Sequence, residues 1–229
     1  MTGLAVAAGS APQSSSAHYQ VNEVFFGSGG ELNSCSANYC SKQAAGETAV
    51  GNTSSTNYQA QAGFNTDRQP YLEFTVSNTN LYLGELKSSS TKTANATFSV
   101  KTYLAGGYTV RQVAVGPTNG FHALNPLATP SASAAGQEQF GFNLRANTSP
   151  ATFGADPVQA PDATFSHGVV DSDYNQANKY KYGFGDRIAY SDSSSGTTNY
   201  TISYIFNVSN KTPAGLYVLH HVLVATSTF

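Results

Sequence analysis

With 229 residues, 40% of them hydrophobic and 12% aromatic, the chain is long enough to bury a substantial core, yet only 10% of it is charged. A formal net charge of -2, with Lys+Arg 11 spread thinly and no basic stripe, argues against a phosphate backbone as partner. No run reaches the ~18 consecutive apolar residues of a membrane span. Solubility therefore rests on Ser, Thr, Asn, Gln and Gly, the surface style of extracellular β proteins.

In chain order, Met1 to Ala11 is small and apolar and ends Gly9-Ser10-Ala11, similar to a small-residue cleavage site. Residues 1–15 are accordingly read as the remnant of an export signal or a flexible terminus, and 16–229 as one domain. Cys35 and Cys40 enclose four residues in a Gly/Ser/Asn-rich stretch. Two cysteines are too few for a zinc site and lack the C-x-x-C spacing of a redox pair, which leaves a loop-clasping disulfide and an oxidising compartment.

No segment shows a sustained apolar repeat at helical spacing, whereas period-two alternation with β-branched and aromatic residues recurs between turn clusters. Strands are expected at 19–26, 58–64, 71–76, 81–86, 96–104, 108–115, 139–145, 181–190, 200–208 and 216–225. About ten strands at this spacing predict an all-β, two-layer antiparallel sandwich, Ig-like or jelly-roll-like. Ala105-Gly106-Gly107 reads as the turn of a hairpin between 96–104 and 108–115, and 210–215, with Pro213 and Gly215, as that of a second between 200–208 and 216–225. The last strand is apolar at nearly every position and is expected to lie centrally. His220 and His221 are adjacent and should face opposite ways. Near the N-terminus, Ser15-Ser16-Ala17-His18-Tyr19-Gln20 echoes Ser54-Ser55-Thr56-Asn57-Tyr58-Gln59, a hint of two similarly docked strands.

Chemistry concentrates at 171–190. Asp171, Asp173 and Asn175 place alternate oxygen ligands on a loop, a candidate calcium site, although Gln176 and Tyr182 stand where an EF-hand needs Gly and Glu. Tyr174, Tyr180, Tyr182 and Phe184 follow. In an extended strand the last three share one face, read either as the core side of the sheet or as a stacking platform for sugar or a partner protein. Asp171, Asp173 and Asp186 also form the candidate carboxylate set for a glycosidase. Motifs of zinc proteases, serine hydrolases, phosphate loops and dinucleotide folds are absent, and no cofactor other than calcium is expected.

The runs Ser16-Ala17-His18-Tyr19-Gln20-Val21-Asn22-Glu23, Phe25-Phe26-Gly27-Ser28-Gly29-Gly30 and 54–64 resemble a group of uncharacterised secreted surface proteins of small-genome, host-associated bacteria. Tyr200-Thr201-Ile202-Ser203-Tyr204 with Thr212-Pro213-Ala214-Gly215-Leu216-Tyr217 is similar to the closing hairpin of bacterial Ig-like surface modules, including the WxL kind, although the sequence has Trp 0 and so lacks that group's tryptophan motif. The resemblance implies export, a β-sandwich and a place on the cell surface. The expected function is structural or adhesive, without catalysis, through a protein or glycan partner or by self-assembly. A carbohydrate-binding module, with or without calcium, and a glycoside hydrolase are the alternatives.

Overall fold

The structure, a computed structural model, describes residues 14–15, 20–21, 29–45, 51–54, 59–62, 70–77, 80–103 and 105–228. The export-signal reading of residues 1–11 and most of the 19–26 strand lie outside these. The chain divides into two compact units, Met1–Asp67 and Arg68–Phe229.

The first unit is a series of two-stranded antiparallel hairpins. β1 (Ser14–Ser15) pairs with β2 (Gln20–Val21), β3 (Gly29–Cys35) with β4 (Cys40–Ala45), and β5 (Gly51–Ser54) with β6 (Gln59–Ala62). The closing pairs are Ser15↔Gln20, Cys35↔Cys40 and Ser54↔Gln59, so each hairpin has the same four-residue connection. The echo read from the sequence thus begins and ends on the closing pairs of the first and third hairpins, and a third copy in sequence, Cys35-Ser36-Ala37-Asn38-Tyr39-Cys40, stands between the other two.

The second unit is a two-layer antiparallel β-sandwich of nine strands, with no helix among the described residues. Its strands are β7 (Tyr71–Ser77), β8 (Lys92–Tyr103), β9 (Gly107–Gln112), β10 (Gln139–Asn143), β11 (Val158–Ala160), β12 (Val169–Val170), β13 (Arg187–Ser191), β14 (Thr197–Asn207) and β15 (Leu223–Thr228). One sheet runs β10-β14-β8-β7, with β11 also on β14; the other runs β12-β13-β9-β15. Alternation dictates the packing. On β8, Ala96, Phe98, Val100 and Thr102 are buried while the residues between them are partly exposed. Facing them from the second sheet are Tyr108, Val110 and Ile188, and the Tyr108 and Tyr200 hydroxyls hydrogen-bond across the layers at 2.7 Å. Gly168 lies so close to this pair that a Cβ there would overlap the Tyr108, Tyr200 and Thr198 hydroxyls.

Several expected elements are corrected. β8 and β9 do not form a hairpin: they belong to different sheets, and the 105–107 turn carries the chain from one layer to the other. Gly107 makes the crossing with φ +141, where a Cβ would run into the Ser191 carbonyl. The second expected hairpin fails in the same way, because β14 and β15 also lie in different sheets. The central strand is β14, buried from Ile202 to Asn207 on both faces, while β15 is an edge strand with alternating exposure. Residues 81–86 form no strand; Gly84 turns them with φ +66, and Leu83 and Leu86 pack on the core. The 181–190 strand begins only at Arg187, since Gly185 (φ +80) breaks the extended run.

Candidate functional site

The 171–187 region begins as the connection between β12 and β13, which pair Val169↔Tyr190 and Val170↔Ala189. A buried amide network anchors it. Asn143 and Asn147 exchange side-chain hydrogen bonds of 2.7 and 2.9 Å, and Asn143 Nδ2 also donates to the Gln176 and Lys179 carbonyls. Asn178, with φ 62, accepts the Thr148 and Ser149 amides on its Oδ1 and donates its own amide to Asn147 Oδ1 at 2.7 Å. Burying so many amides is favourable only because they satisfy one another.

Within this frame the acidic residues meet cations of the chain. Arg187 Nε donates to Asp171 Oδ2 at 2.9 Å. Lys181 Nζ lies 2.6 Å from Asp173 Oδ2 and 2.9 Å from Asp186 Oδ2, and the Tyr174 hydroxyl donates to Asp186 at 2.8 Å. Asn175 Oδ1 accepts from Arg145 at 3.1 Å. Burial pushes the Lys181 ammonium down, but hydrogen bonds and charge from Asp173 and Asp186 outweigh it, and its pKa is raised. No group of three or more His, Cys, Asp or Glu side chains among the described residues is placed to hold a metal ion. Asp171, Asp173 and Asn175 would have to give up these partners to ligate calcium.

Tyr174, Tyr180 and Tyr182 are buried, which makes the aromatic face the core side of the region rather than a platform. Tyr174 stacks on Phe142 with ring centroids 4.8 Å apart, and Tyr182 packs at 4.6 Å from Phe140. Their hydroxyls are satisfied internally, Tyr180 on the Ser149 carbonyl and Tyr182 on that of Ala114. Burial raises all three phenol pKa values. Phe184, past the strand-like run, is exposed.

The Cys35–Cys40 disulfide is formed and closes the middle hairpin of the first unit. At its tip, the Ser36 amide donates to the Tyr39 carbonyl at 2.7 Å, and the Tyr39 amide donates to Ser36 Oγ at 3.2 Å. Residues 35–40 are all exposed, and Tyr39 is 81% exposed.

Two apolar features escaped the sequence reading. One is the outer side of the β15 edge. Val224 pairs opposite Arg111, and the Val113 amide donates to the Val222 carbonyl, so Val113, Val115, Val222 and Val224 form one outward stripe on neighbouring segments. Val115 is 70% exposed, and Leu216 (79%) and Phe121 (102%) extend the apolar surface on the segments that Thr118 and Val218 bridge. The other is a cleft of about 1070 Å³ whose lining includes Phe74, Ile202, Phe206, Leu83, Leu219 and Leu223. The His221 ring faces inward there, against Phe142, Tyr182 and Tyr204, while His220 is exposed, as the alternation requires. His221 Nδ1 hydrogen-bonds the Tyr204 hydroxyl, and its Nε2 is buried without a partner. Burial pushes the imidazole down to about 4.

The connector at 209–217, one wall of this cleft, is tied down by Glu138. Its carboxylate accepts from Thr212 Oγ1 at 2.5 Å and meets His122 Nε2 at 3.0 Å. Burial alone would raise the Glu138 pKa; the bonds from Thr212 and His122, with the charge of His122, lower it. No protein-family model, curated protein or solved structure matches this chain.

Proposed function

We propose that the chain is a secreted or cell-surface structural protein that acts by contact and assembly rather than catalysis, with copies joining through the β15 edge. The observation that carries this reading is the composition of that edge. Residues 216–228 contain no Asp, Glu, Lys, Arg or Pro, and the outer edge of β15 has no strand partner among the described residues. Edge strands are normally blunted by charge, proline or a bulge, and this one instead carries Val222 and Val224 outward beside Val113 and Val115. A second copy adding its own β15 antiparallel would continue the sheet and set its Val222 and Val224 beside the first copy's stripe. The low charge, the disulfide, which suits an oxidising compartment, and the resemblance to bacterial surface proteins support an extracellular setting. Carbohydrate binding at 171–190, with or without calcium, and glycoside hydrolysis there have less support, because the tyrosines are buried and each acidic residue has a cationic partner.

Light scattering of the full chain over a range of concentrations tests the assembly. The mass should rise with concentration for the wild type and stay monomeric for Val224→Lys, whose charge sits on the exposed stripe. A constant monomer mass for the unaltered chain would overturn the reading.

A further inference from the structure

The larger sheet outruns the smaller one. β8 has 12 residues and β14 has 11, whereas no strand of the facing sheet exceeds 6. Phe74 stands opposite Val100, and Ala96 and Ala94 stand opposite Ile202 and Tyr204. Alternate residues share a face, so Phe74, Ala96, Ile202, Tyr204 and Phe206 form one apolar floor. Most of the remaining wall comes from 80–88 and 209–221, which form no strand, and the space between is the cleft of about 1070 Å³. Every lining residue lies between Phe74 and Leu223, inside the second unit.

The cleft is at the upper end of the ~300–1,000 Å³ typical of sites for small molecules. Packed interiors leave few voids larger than a water molecule. Its lining contains no Lys or Arg, and its one carboxylate, Glu85, is 80% exposed and lies 3.8 Å from Lys87. Of the buried side-chain polar atoms without a partner among the described residues, only His221 Nε2 belongs to a residue of this lining. His221 Nδ1 meets the Tyr204 hydroxyl, which has no other acceptor among the described residues. The hydroxyl therefore donates, the ring proton sits on Nε2, and that N–H lacks an acceptor. Burial keeps the ring neutral, its pKa pushed down to about 4.

We propose that the cleft binds an uncharged, lipid-like small molecule whose chain lies on the apolar floor and whose carbonyl oxygen accepts from His221 Nε2. An unmet buried donor is costly, and a ligand oxygen that meets it removes the cost. An anionic head group would be buried with no cation to pair it. The ester of an acyl chain has both features. The site is independent of assembly along β15, because Val222 and Val224 face outward and are not part of the lining.

The test is a fluorescence titration of the full chain with Nile red, a neutral apolar dye, followed by displacement with methyl octanoate, butylbenzene or octanoate. The wild type should bind the dye saturably, and octanoate should displace it about tenfold less well than methyl octanoate. Val76→Trp adds bulk at a 42% exposed position of the lining and should lose most of the dye. His221→Phe keeps a ring and removes the donor. It should weaken methyl octanoate about three- to tenfold and leave butylbenzene, which has no acceptor, within about twofold. Val224→Lys, on the outward stripe, should bind the dye as the wild type does. Absence of saturable binding, full binding by Val76→Trp, or loss of binding in Val224→Lys overturns the proposal. So does displacement by octanoate as good as by its ester, or equal weakening of both neutral competitors in His221→Phe. Dye bound per chain that falls as protein concentration rises assigns the cleft to a neighbouring copy and overturns it as well. If His221→Phe does not fold, the ester and octanoate comparison together with Val76→Trp decides.

Discussion

Two tyrosine-rich regions of this chain contrast. At 174–182 the rings lie among Lys181, Asp173 and Asp186, surroundings that suggest a polar surface, and all three are sealed in the core with their hydroxyls satisfied. At the hairpin tip a single tyrosine stands among Ser, Ala and Asn and is almost fully exposed. The difference teaches that charge beside an aromatic residue says little about exposure. Long charged side chains can lie over a buried ring, as Lys181 does 5.6 Å from the Tyr174 centroid, whereas a four-residue turn has no second layer to pack against.

Breaking the first region should have the largest effect. Tyr174→Ala removes a buried ring stacked on Phe142 and leaves Asp186 without its phenol; a loss of about 3–5 kcal/mol is expected in urea unfolding. Next is His221, also inside the aromatic core. Its pKa in the fold, about 4, lies below the unfolded value, so the unfolded chain takes up the proton first as pH falls. That contribution is intact above pH ~6.5 and declines by about 3 kcal/mol towards pH 4, below which it is flat. Unfolding curves at several pH values should show this slope in the wild type and not in His221→Phe.

Lys181→Met should cost about 1–2 kcal/mol, less than a fully buried pair would, because Asp173 is 45% and Asp186 28% exposed. The raised Lys181 pKa gives this term a direction: it is fully present below pH ~10.4 and lost as pH rises through the folded value. If the stability gap between wild type and Lys181→Met stays constant on going alkaline, the pairing is contradicted. Smallest is Tyr39→Ala, expected within about 0.5 kcal/mol of wild type. A cost near that of Tyr174→Ala would dissolve the contrast.

Much of the fold was legible in the sequence. The all-β class followed from alternation, and 71–76, 96–104, 139–145 and 200–208 fall on β7, β8, β10 and β14. What alternation does not encode is which sheet a strand joins, since a tight Gly-rich connection serves equally for a hairpin and for a step between layers. The two misplaced hairpins share that cause. At 216–225 the alternation is real, with Tyr217, Leu219, His221 and Leu223 less exposed than the residues between them, but a continuous apolar run looked like a central strand when it was an edge with an apolar outer stripe. The cysteine pair was read correctly as a clasp, yet its identity hid the third copy of the repeat, because Cys replaces both the Ser and the Gln that mark the others. The burial of the tyrosines was one of the two readings open, and only the packing of Phe140 and Phe142 against them decides it.

The steps between layers bear on how the sandwich comes into being. β8, at Lys92–Tyr103, finds its partner β14 only at Thr197–Asn207, about a hundred residues later in the chain. No neighbouring pair on the path from β8 to β9, or from β14 to β15, can close first and template the rest. Such a topology, dominated by contacts distant in sequence, belongs to the slow end of folding, milliseconds to seconds. During synthesis or export, β8 therefore has only β7 beside it, with Phe74 opposite Val100 and Val76 opposite Phe98, and its other edge stays open until β14 emerges.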